Sequence, residues 1–119
     1  MERIFLKSKI HRAVVTQTEI DYEGSITIDK GLMEAANILS FEKVSVVNIN
    51  NGERFETYVM PGEKGSGMIC LNGAAARKAS INDRIIIMSY CNLSEQEIKN
   101  NMVNPTIVVV DENNNIKQI

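Results

Sequence analysis

The chain has 119 residues, with 13 Lys and Arg against 15 Asp and Glu, a formal charge of −2, and 44% hydrophobic residues. That length suits one domain with one sizeable core, and the slight acidity argues against a surface built for nucleic acid or an anionic membrane. Two cysteines and one histidine exclude a disulfide framework, a multi-cysteine zinc site and His-rich metal chemistry.

In chain order, Met1-Glu2-Arg3-Ile4-Phe5-Leu6-Lys7 has charges on both sides of a very short apolar run, so it reads as no signal peptide. No later run approaches the roughly 18 apolar residues of a membrane-spanning helix. The expectation is a soluble cytoplasmic protein, one domain over residues 1–119. Arg12 to Ile20, rich in Val and Thr, predicts a strand, and Ser25 to Ile28 a second extended piece. Asp29 reads as a cap before a short run of helix formers, Leu32 to Ala36. The clearest local signal is a hairpin: Val44 to Ile49 and Arg54 to Val59 flank Asn50-Asn51-Gly52, residues that tolerate the positive φ of a tight turn. Pro61-Gly62 is expected to stop the second strand and Gly62 to Gly67 to form a glycine-rich loop. Met68 to Leu71 predicts a short buried strand, Ala74 to Ala79 one or two helical turns, and Arg84 to Tyr90 a strongly apolar strand. Ser94-Glu95-Gln96-Glu97 has the spacing of a capping box and opens a second helix. Thr106 to Val110 is a last core strand before a polar turn at Asn113-Asn114-Asn115. Many short strands, a few short helices and glycine turns describe a mainly β protein, a small β-barrel.

Taken singly, the candidate motifs favour plain readings. The stretch Gly62-Glu63-Lys64-Gly65-Ser66-Gly67 lacks the Gly-Lys-Ser/Thr ending of a P-loop and reads as a mobile loop rather than an anion site. Cys70 and Cys91 sit in apolar strands and read as inert core residues. With no Gly-x-Ser-x-Gly elbow, His11 reads as a local hydrogen-bonding residue rather than a general base. Arg54 and Tyr58 are four apart on one strand and share a face, as a surface pair would. Asn72-Gly73-Ala74-Ala75-Ala76 is unusual for its lack of bulk, which lets backbone N–H groups approach a ligand.

Together the motifs say more. Lys9, His11-Arg12, Tyr22-Glu23-Gly24-Ser25, Asn51 to Tyr58 and Asn72 to Ala76, in that order and spacing, resemble the bacterial pyruvoyl-dependent aspartate 1-decarboxylases. The resemblance runs from about Ile4 through Tyr90 and continues weakly into the Asn104-Pro105 strand. Met60 stands where a branched aliphatic is more usual, and the tail after Asn115 is short; neither departure touches a motif residue. The resemblance implies a six-stranded double-psi β-barrel, a homotetramer, and decarboxylation of L-aspartate to β-alanine and CO2 for pantothenate and coenzyme A synthesis. It implies self-cleavage between Gly24 and Ser25, which turns the serine into a covalent pyruvoyl group that meets substrate as a Schiff-base electrophile. Pyridoxal phosphate and metals are not expected as cofactors.

Residue by residue, the resemblance implies that Ser25 is the pyruvoyl precursor and Gly24 supplies the attacked carbonyl. A glycine there suits a strained turn with open access to its carbonyl. Tyr58 matches the proton donor to the carbanion, and Thr57 a residue that assists self-cleavage and the substrate site. Arg54 matches the guanidinium that grips a substrate carboxylate, and Lys9 a second cationic site residue. Asn72, Gly73, Ala74 and Ala75 match the turn whose amides contact substrate. In a regular strand Thr57 faces away from Arg54 and Tyr58, so either the strand bulges or twists there or the two faces serve adjacent sites across a subunit boundary. Cleavage proceeds unaided or with a maturation factor; the residues favour neither. The competing readings are a non-catalytic barrel that binds a small acidic metabolite through Arg54 and Lys9, and a barrel-type DNA-binding regulator, which the −2 charge opposes.

Overall fold

Alternation of β-branched and polar residues makes strands the dominant element of this chain. The computed structural model describes residues 1–101 and 103–119. Its strands are β1 (Glu2–Val14), β2 (Gln17–Glu19), β3 (Ser25–Asp29), β4 (Lys43–Asn48), β5 (Arg54–Gly62), β6 (Ile69–Asn72), β7 (Arg84–Ser94), β8 (Thr106–Val110) and β9 (Ile116–Gln118). Two short helices, α1 (Lys30–Ala35) and α2 (Glu95–Asn100), and a 3₁₀ turn at Gly73–Lys78 complete the described elements.

The strands hydrogen-bond in the order β2-β6-β3-β5-β4-β7-β1-β8-β9. The ends of this order are joined through the chain itself. Beyond β1, Val15 N–H donates to Asp83 O at 2.9 Å and Thr16 N–H to Ile69 O at 2.8 Å, after which β2 runs parallel to β6. The β1–β2 segment therefore pairs with β7 at one end and β6 at the other, closing a ring of six strands with β8 and β9 outside it. Two parallel pairs, β2 with β6 and β3 with β5, sit among antiparallel neighbours, the mixture expected of a double-psi barrel. Ile10, Ile26, Ile28, Val46, Val59, Ile69, Leu71, Ile85 and Ile87 fill the ring and are fully buried. Each such side chain contributes roughly 1.5–3 kcal/mol of burial.

Three expectations need correction. Arg12 to Ile20 is not one strand: Arg12 lies at φ 66°, the β1–β7 register slips between Ile10 and Ala13, and the chain crosses from β7 to β6 at Val15–Thr16. Most of β1 lies before Arg12, where charges at Glu2, Arg3, Lys7 and Lys9 obscure the alternation. Pro61 and Gly62 do not stop β5 but pair with Ile28 and Asp29 of β3. The β4 pairing ends at Tyr58, so β5 is an edge at Pro61 and its missing N–H costs no ladder bond.

The glycine-rich loop is tied down by Asp29. This buried carboxylate caps α1 by accepting from Gly31 N–H at 2.7 Å, and also accepts from Gly65 N–H at 3.0 Å and Gly67 N–H at 2.8 Å. Burial pushes its pKa up, but the bonds from Gly67, Gly65, Gly31 and Leu32 outweigh that and hold it below the ordinary 3.8. A depressed folded-state pKa gives stability that is present above the unfolded value and lost as pH falls through the folded one. Asp29→Ala is expected to cost roughly 2–4 kcal/mol at neutral pH, by stranding several donors. Urea midpoints measured from pH 7 down through pH ~2 should fall less steeply below the carboxylate range in the variant. Equal acid slopes would remove this role.

Asn114, buried at φ 62°, locks the barrel seam in a similar way. Its Oδ1 accepts from Val14 N–H at 2.7 Å, and its Nδ2 donates to Val14 O at 2.9 Å and Gly67 O at 2.8 Å. The polar turn before β9 thus serves the closure of the core.

Candidate active site

Antiparallel pairing places Ser25 opposite Asn72 and Thr27 opposite Cys70. Because alternate residues share a face, these four side chains form a square on one side of the β3–β6 ladder, while Ile26 and Leu71 point into the core. Asn72 Nδ2 donates to Ser25 Oγ and to Thr27 Oγ1, both at 3.0 Å, and the Cys70 thiol donates to Asn72 Oδ1 at 3.3 Å. Ser25 is 5% exposed, whereas Gly24 just before it is open to solvent. The Gly24–Ser25 peptide therefore straddles the protein surface.

The left-handed glycine is Gly73 rather than Gly24. Gly73 has φ 65°, and a Cβ there would lie 2.9 Å from Gly24 Cα, Gly24 N and Tyr22 O. At Gly24 a Cβ would meet nothing within 4 Å, and its φ is not in the positive region. Open access at Gly24 agrees with expectation; the special backbone conformation belongs to its neighbour across the turn. Gly73→Ala is expected to displace the Tyr22–Gly24 segment and to slow any reaction at the Gly24 carbonyl by more than about tenfold. Following the mass of the freshly made variant over time checks this, and an unchanged rate would show that the close approach is incidental.

Thr57 and Gly24 line one recess of about 200 Å³ with Phe55, Ala74, Ala75 and Lys78. Arg54 and Tyr58 do not join it. The β4–β5 register is regular from Arg54 to Tyr58, so these two are exposed on the outer face and Thr57 turns the other way. The bulge alternative is thereby removed. Tyr58 stacks on Phe41, with ring centroids 6.2 Å apart and planes at 24°. A larger groove of about 710 Å³ on that side is lined by Ile4, Lys43, Ser45, Glu56, Tyr90 and Cys91, away from Ser25. Lys9 lies opposite Met88 of β7 and Ile107 of β8, on a strand that does not border β3. Near it His11 is held below its ordinary pKa of 6.5, first by burial and then by the charges of Lys9 and Arg12. His11 Nδ1 is buried without a partner among the described residues, so the local bond expected of it is not made at that atom.

One protomer thus gathers Gly24, Ser25, Thr57, Asn72, Gly73, Ala74 and Ala75, and leaves Lys9, Arg54 and Tyr58 elsewhere. Cys70 and Thr27 join the first group unpredicted. The signal for them is their two-residue spacing from Asn72 and Ser25, which acquires meaning only once β3 and β6 are known to pair. Among the described residues, no group of three or more His, Cys, Asp or Glu is placed to hold a metal ion, and no helix is long and apolar enough to cross a membrane.

A closed ring of six strands, with a buried serine after an exposed glycine beside a compact polar cluster, defines the class: a small, mainly β barrel. Residues 1–117 match the family profile described as aspartate decarboxylase, and the chain belongs to that family. It is 64% identical over 114 residues to an aspartate 1-decarboxylase of Caldicellulosiruptor saccharolyticus, covering 96% of this chain and 88% of that one. It is 59% identical over 119 residues to an aspartate 1-decarboxylase of Clostridium novyi, covering 100% of this chain and 95% of that one. An aspartate 1-decarboxylase of Clostridium botulinum is 61% identical over 114 residues, covering 96% and 88%. The protein is accordingly a decarboxylase, a carboxy-lyase.

Proposed function

We propose that this cytoplasmic enzyme cleaves its own chain between Gly24 and Ser25 and then converts L-aspartate to β-alanine and CO2, supplying pantothenate and coenzyme A synthesis. The observation that carries the self-cleavage is the arrangement of Ser25. Its buried Oγ accepts from Asn72, while Gly73, having no Cβ, leaves the space taken by the residue whose carbonyl would be attacked.

The steps balance without any added reagent except water. Ser25 Oγ bonds to the Gly24 carbonyl carbon, the Gly24–Ser25 C–N bond breaks, and the hydroxyl proton passes to the freed nitrogen. Loss of the Ser25 Cα proton then expels the Gly24 carboxylate from Cβ and leaves dehydroalanine. Water releases ammonia and leaves an N-terminal pyruvoyl ketone. Asn72 Nδ2, donating to Oγ, holds that oxygen in place and stabilises it as its proton leaves, before charge passes to the Gly24 carbonyl oxygen. Thr57, in the same recess as Gly24, is placed to assist at the carbonyl. A hydroxyl, a carboxamide and small residues around position 25 fit a group no larger than the serine it comes from. Such a ketone, linked to the substrate nitrogen, supplies the electron sink that loss of CO2 requires.

The chain's own residues then divide the remaining work. Arg54 pairs a substrate carboxylate through its fork, Lys9 adds a second cation, Tyr58 returns a proton to carbon, and the amides of Asn72 to Ala75 orient the substrate. Arg54 and Tyr58 point away from the Gly24–Thr57 recess of their own chain, and Lys9 stands on a strand not bordering β3. A complete site therefore draws on a second copy, in keeping with a homotetramer. Exposed apolar side chains on Ile4, Leu39, Phe41, Tyr58 and Tyr90 give that assembly surface to bury. Whether a maturation factor hastens cleavage is decided by comparing purified precursor with precursor in cell extract.

Intact mass tests the proposal. Processed protein should give residues 1–24 and 25–119, the latter about 17 Da lighter than a free-serine fragment, as expected when amine and hydroxyl become a ketone. A chain that remains whole after prolonged warming, with and without extract, overturns it in favour of a metabolite-binding barrel. Once processing is established, Arg54→Lys should lower kcat/KM for aspartate by about tenfold or more, because an ammonium cannot reproduce the bidentate pair. Unchanged kcat/KM in fully processed Arg54→Lys protein would remove Arg54 from the site.

A further inference from the structure

We propose that Phe41 is a positioning residue for Tyr58, a platform held in a strained backbone conformation that fixes the aim of the phenol; this rests on the reading of Tyr58 as the proton donor. Bulky residues avoid the left-handed backbone region, and one found there is enforced by its surroundings. Among the described residues, five non-glycine residues have positive φ, and three of them are asparagines, which tolerate it. Phe41, at φ 70°, is the one aromatic. Core filling does not offset this strain, since Phe41 is 71% exposed.

The main chain enforces the conformation from both sides. In a regular antiparallel pair Glu42 would exchange both hydrogen bonds with Val59. Instead Phe41 N–H donates to Val59 O at 2.7 Å, while Val59 N–H donates to Glu42 O at 3.1 Å. Two residues thus oppose one just beyond the Lys43–Tyr58 pair, a β-bulge whose left-handed first position is ordinarily glycine. On the other side Glu42 Oε1 accepts from Leu39 N–H at 3.0 Å, and Glu42 N–H donates to Leu39 O at 3.1 Å. Lys7 Nζ donates to Glu42 Oε2 at 2.6 Å and to Asn37 O at 2.7 Å, which ties the loop to β1. Bulges re-aim side chains, and this one stacks the Phe41 ring on that of Tyr58. A phenol on an exposed strand face can swing among rotamers, and an aromatic neighbour fixed by the main chain narrows that choice. A proton donor is effective only while it is held toward its carbon. The strain at Phe41 therefore serves Tyr58 rather than the core.

Phe41→Gly suits the left-handed backbone and removes the ring, so it separates loop conformation from stacking. It should cleave normally, because the Gly24–Thr57 recess lies on the other face of β5. Its kcat for β-alanine, per processed chain, should fall about tenfold with KM for aspartate within about twofold, as for a misaimed acid rather than a lost binding group. Phe41→Tyr keeps the stacking face and should stay within about twofold of wild-type kcat. With fluorotyrosine incorporated, the fluorine resonance of Tyr58, identified by its absence from Tyr58→Phe, should move in Phe41→Gly as the neighbouring ring is lost. Phe41→Leu, apolar but ringless, takes the place of the glycine variant if that one fails to fold. Wild-type kcat in the ringless variant, an unmoved Tyr58 resonance, or a tyrosine variant as slow as the ringless one overturns the proposal. So does a slow variant that elutes from size exclusion as a smaller species than wild type, which would make Phe41 an assembly contact. Full activity in Tyr58→Phe, run in parallel, overturns the proton-donor reading itself and tells that failure apart from the others.

Discussion

Purified Ser25→Ala protein is expected to stay a single chain of residues 1–119 and to release no β-alanine. The substitution removes the only atom that the proposed acyl shift uses as nucleophile, and no hydroxyl on the same strand replaces it. Thr27, the nearest candidate, already holds the other hydrogen bond of Asn72 and lies opposite Cys70, three residues beyond Gly24. The fold should survive. Ser25 opens β3, its main-chain pairing with Asn72 does not need a side chain, and the core residues Ile26 and Ile28 are untouched. The cost is one hydrogen bond, roughly 0.5–1.5 kcal/mol, against a loss of activity that should be complete. Intact mass, circular dichroism and β-alanine release on one sample separate the outcomes. Unaltered β-alanine release from an uncleaved, folded Ser25→Ala chain would mean that the electron sink is not made at position 25.

Local physics made part of this molecule legible without coordinates. The β4–β5 hairpin follows from Gly52, which sits at φ 76° and donates to Asn48 O at 2.9 Å. The Ser94–Glu97 capping box and the Asp29 cap are likewise short-range, and each forms as its spacing suggests. Where the chain uses partners distant in sequence, local reading fails. The crossing at Val15–Thr16 answers to Asp83 and Ile69, and β5 runs through Pro61 because β3, not the proline, decides where it ends. The same division holds at the site. Two-residue alternation separates Thr57 from Arg54 and Tyr58 on sequence alone, and the regular β4–β5 register keeps them apart. That Gly73 abuts Gly24, and that Cys70 reaches Asn72 beside Ser25, depends on a β3–β6 pairing that no residue within either strand announces.

Tyr58→Phe and Thr57→Val should fail at different stages, and the facing of the two side chains is the reason. Thr57 shares the recess of its own chain with Gly24, so its hydroxyl can act where the peptide bond rearranges. Tyr58 lies on the outer face, stacked on Phe41, so under the proposed function it would reach a reacting carbon only in a neighbouring copy, and only after that copy had been processed. Tyr58→Phe keeps the ring and its stacking and removes only the phenolic proton. It should cleave at the wild-type rate, yet its steady-state release of β-alanine, normalised to cleaved chain, should fall by roughly a hundredfold or more, the scale of a lost positioned acid. Thr57→Val keeps the shape of the side chain and removes the hydroxyl. It should accumulate uncleaved chain, and whatever fraction does cleave should turn over far better than Tyr58→Phe. Mass measurement of processing, followed by activity per processed chain, checks both halves. Uncleaved Tyr58→Phe beside normally cleaved but inactive Thr57→Val would reverse the assignment. Full activity in processed Tyr58→Phe would reduce Tyr58 to a packing partner of Phe41, with the proton supplied by another group or by water.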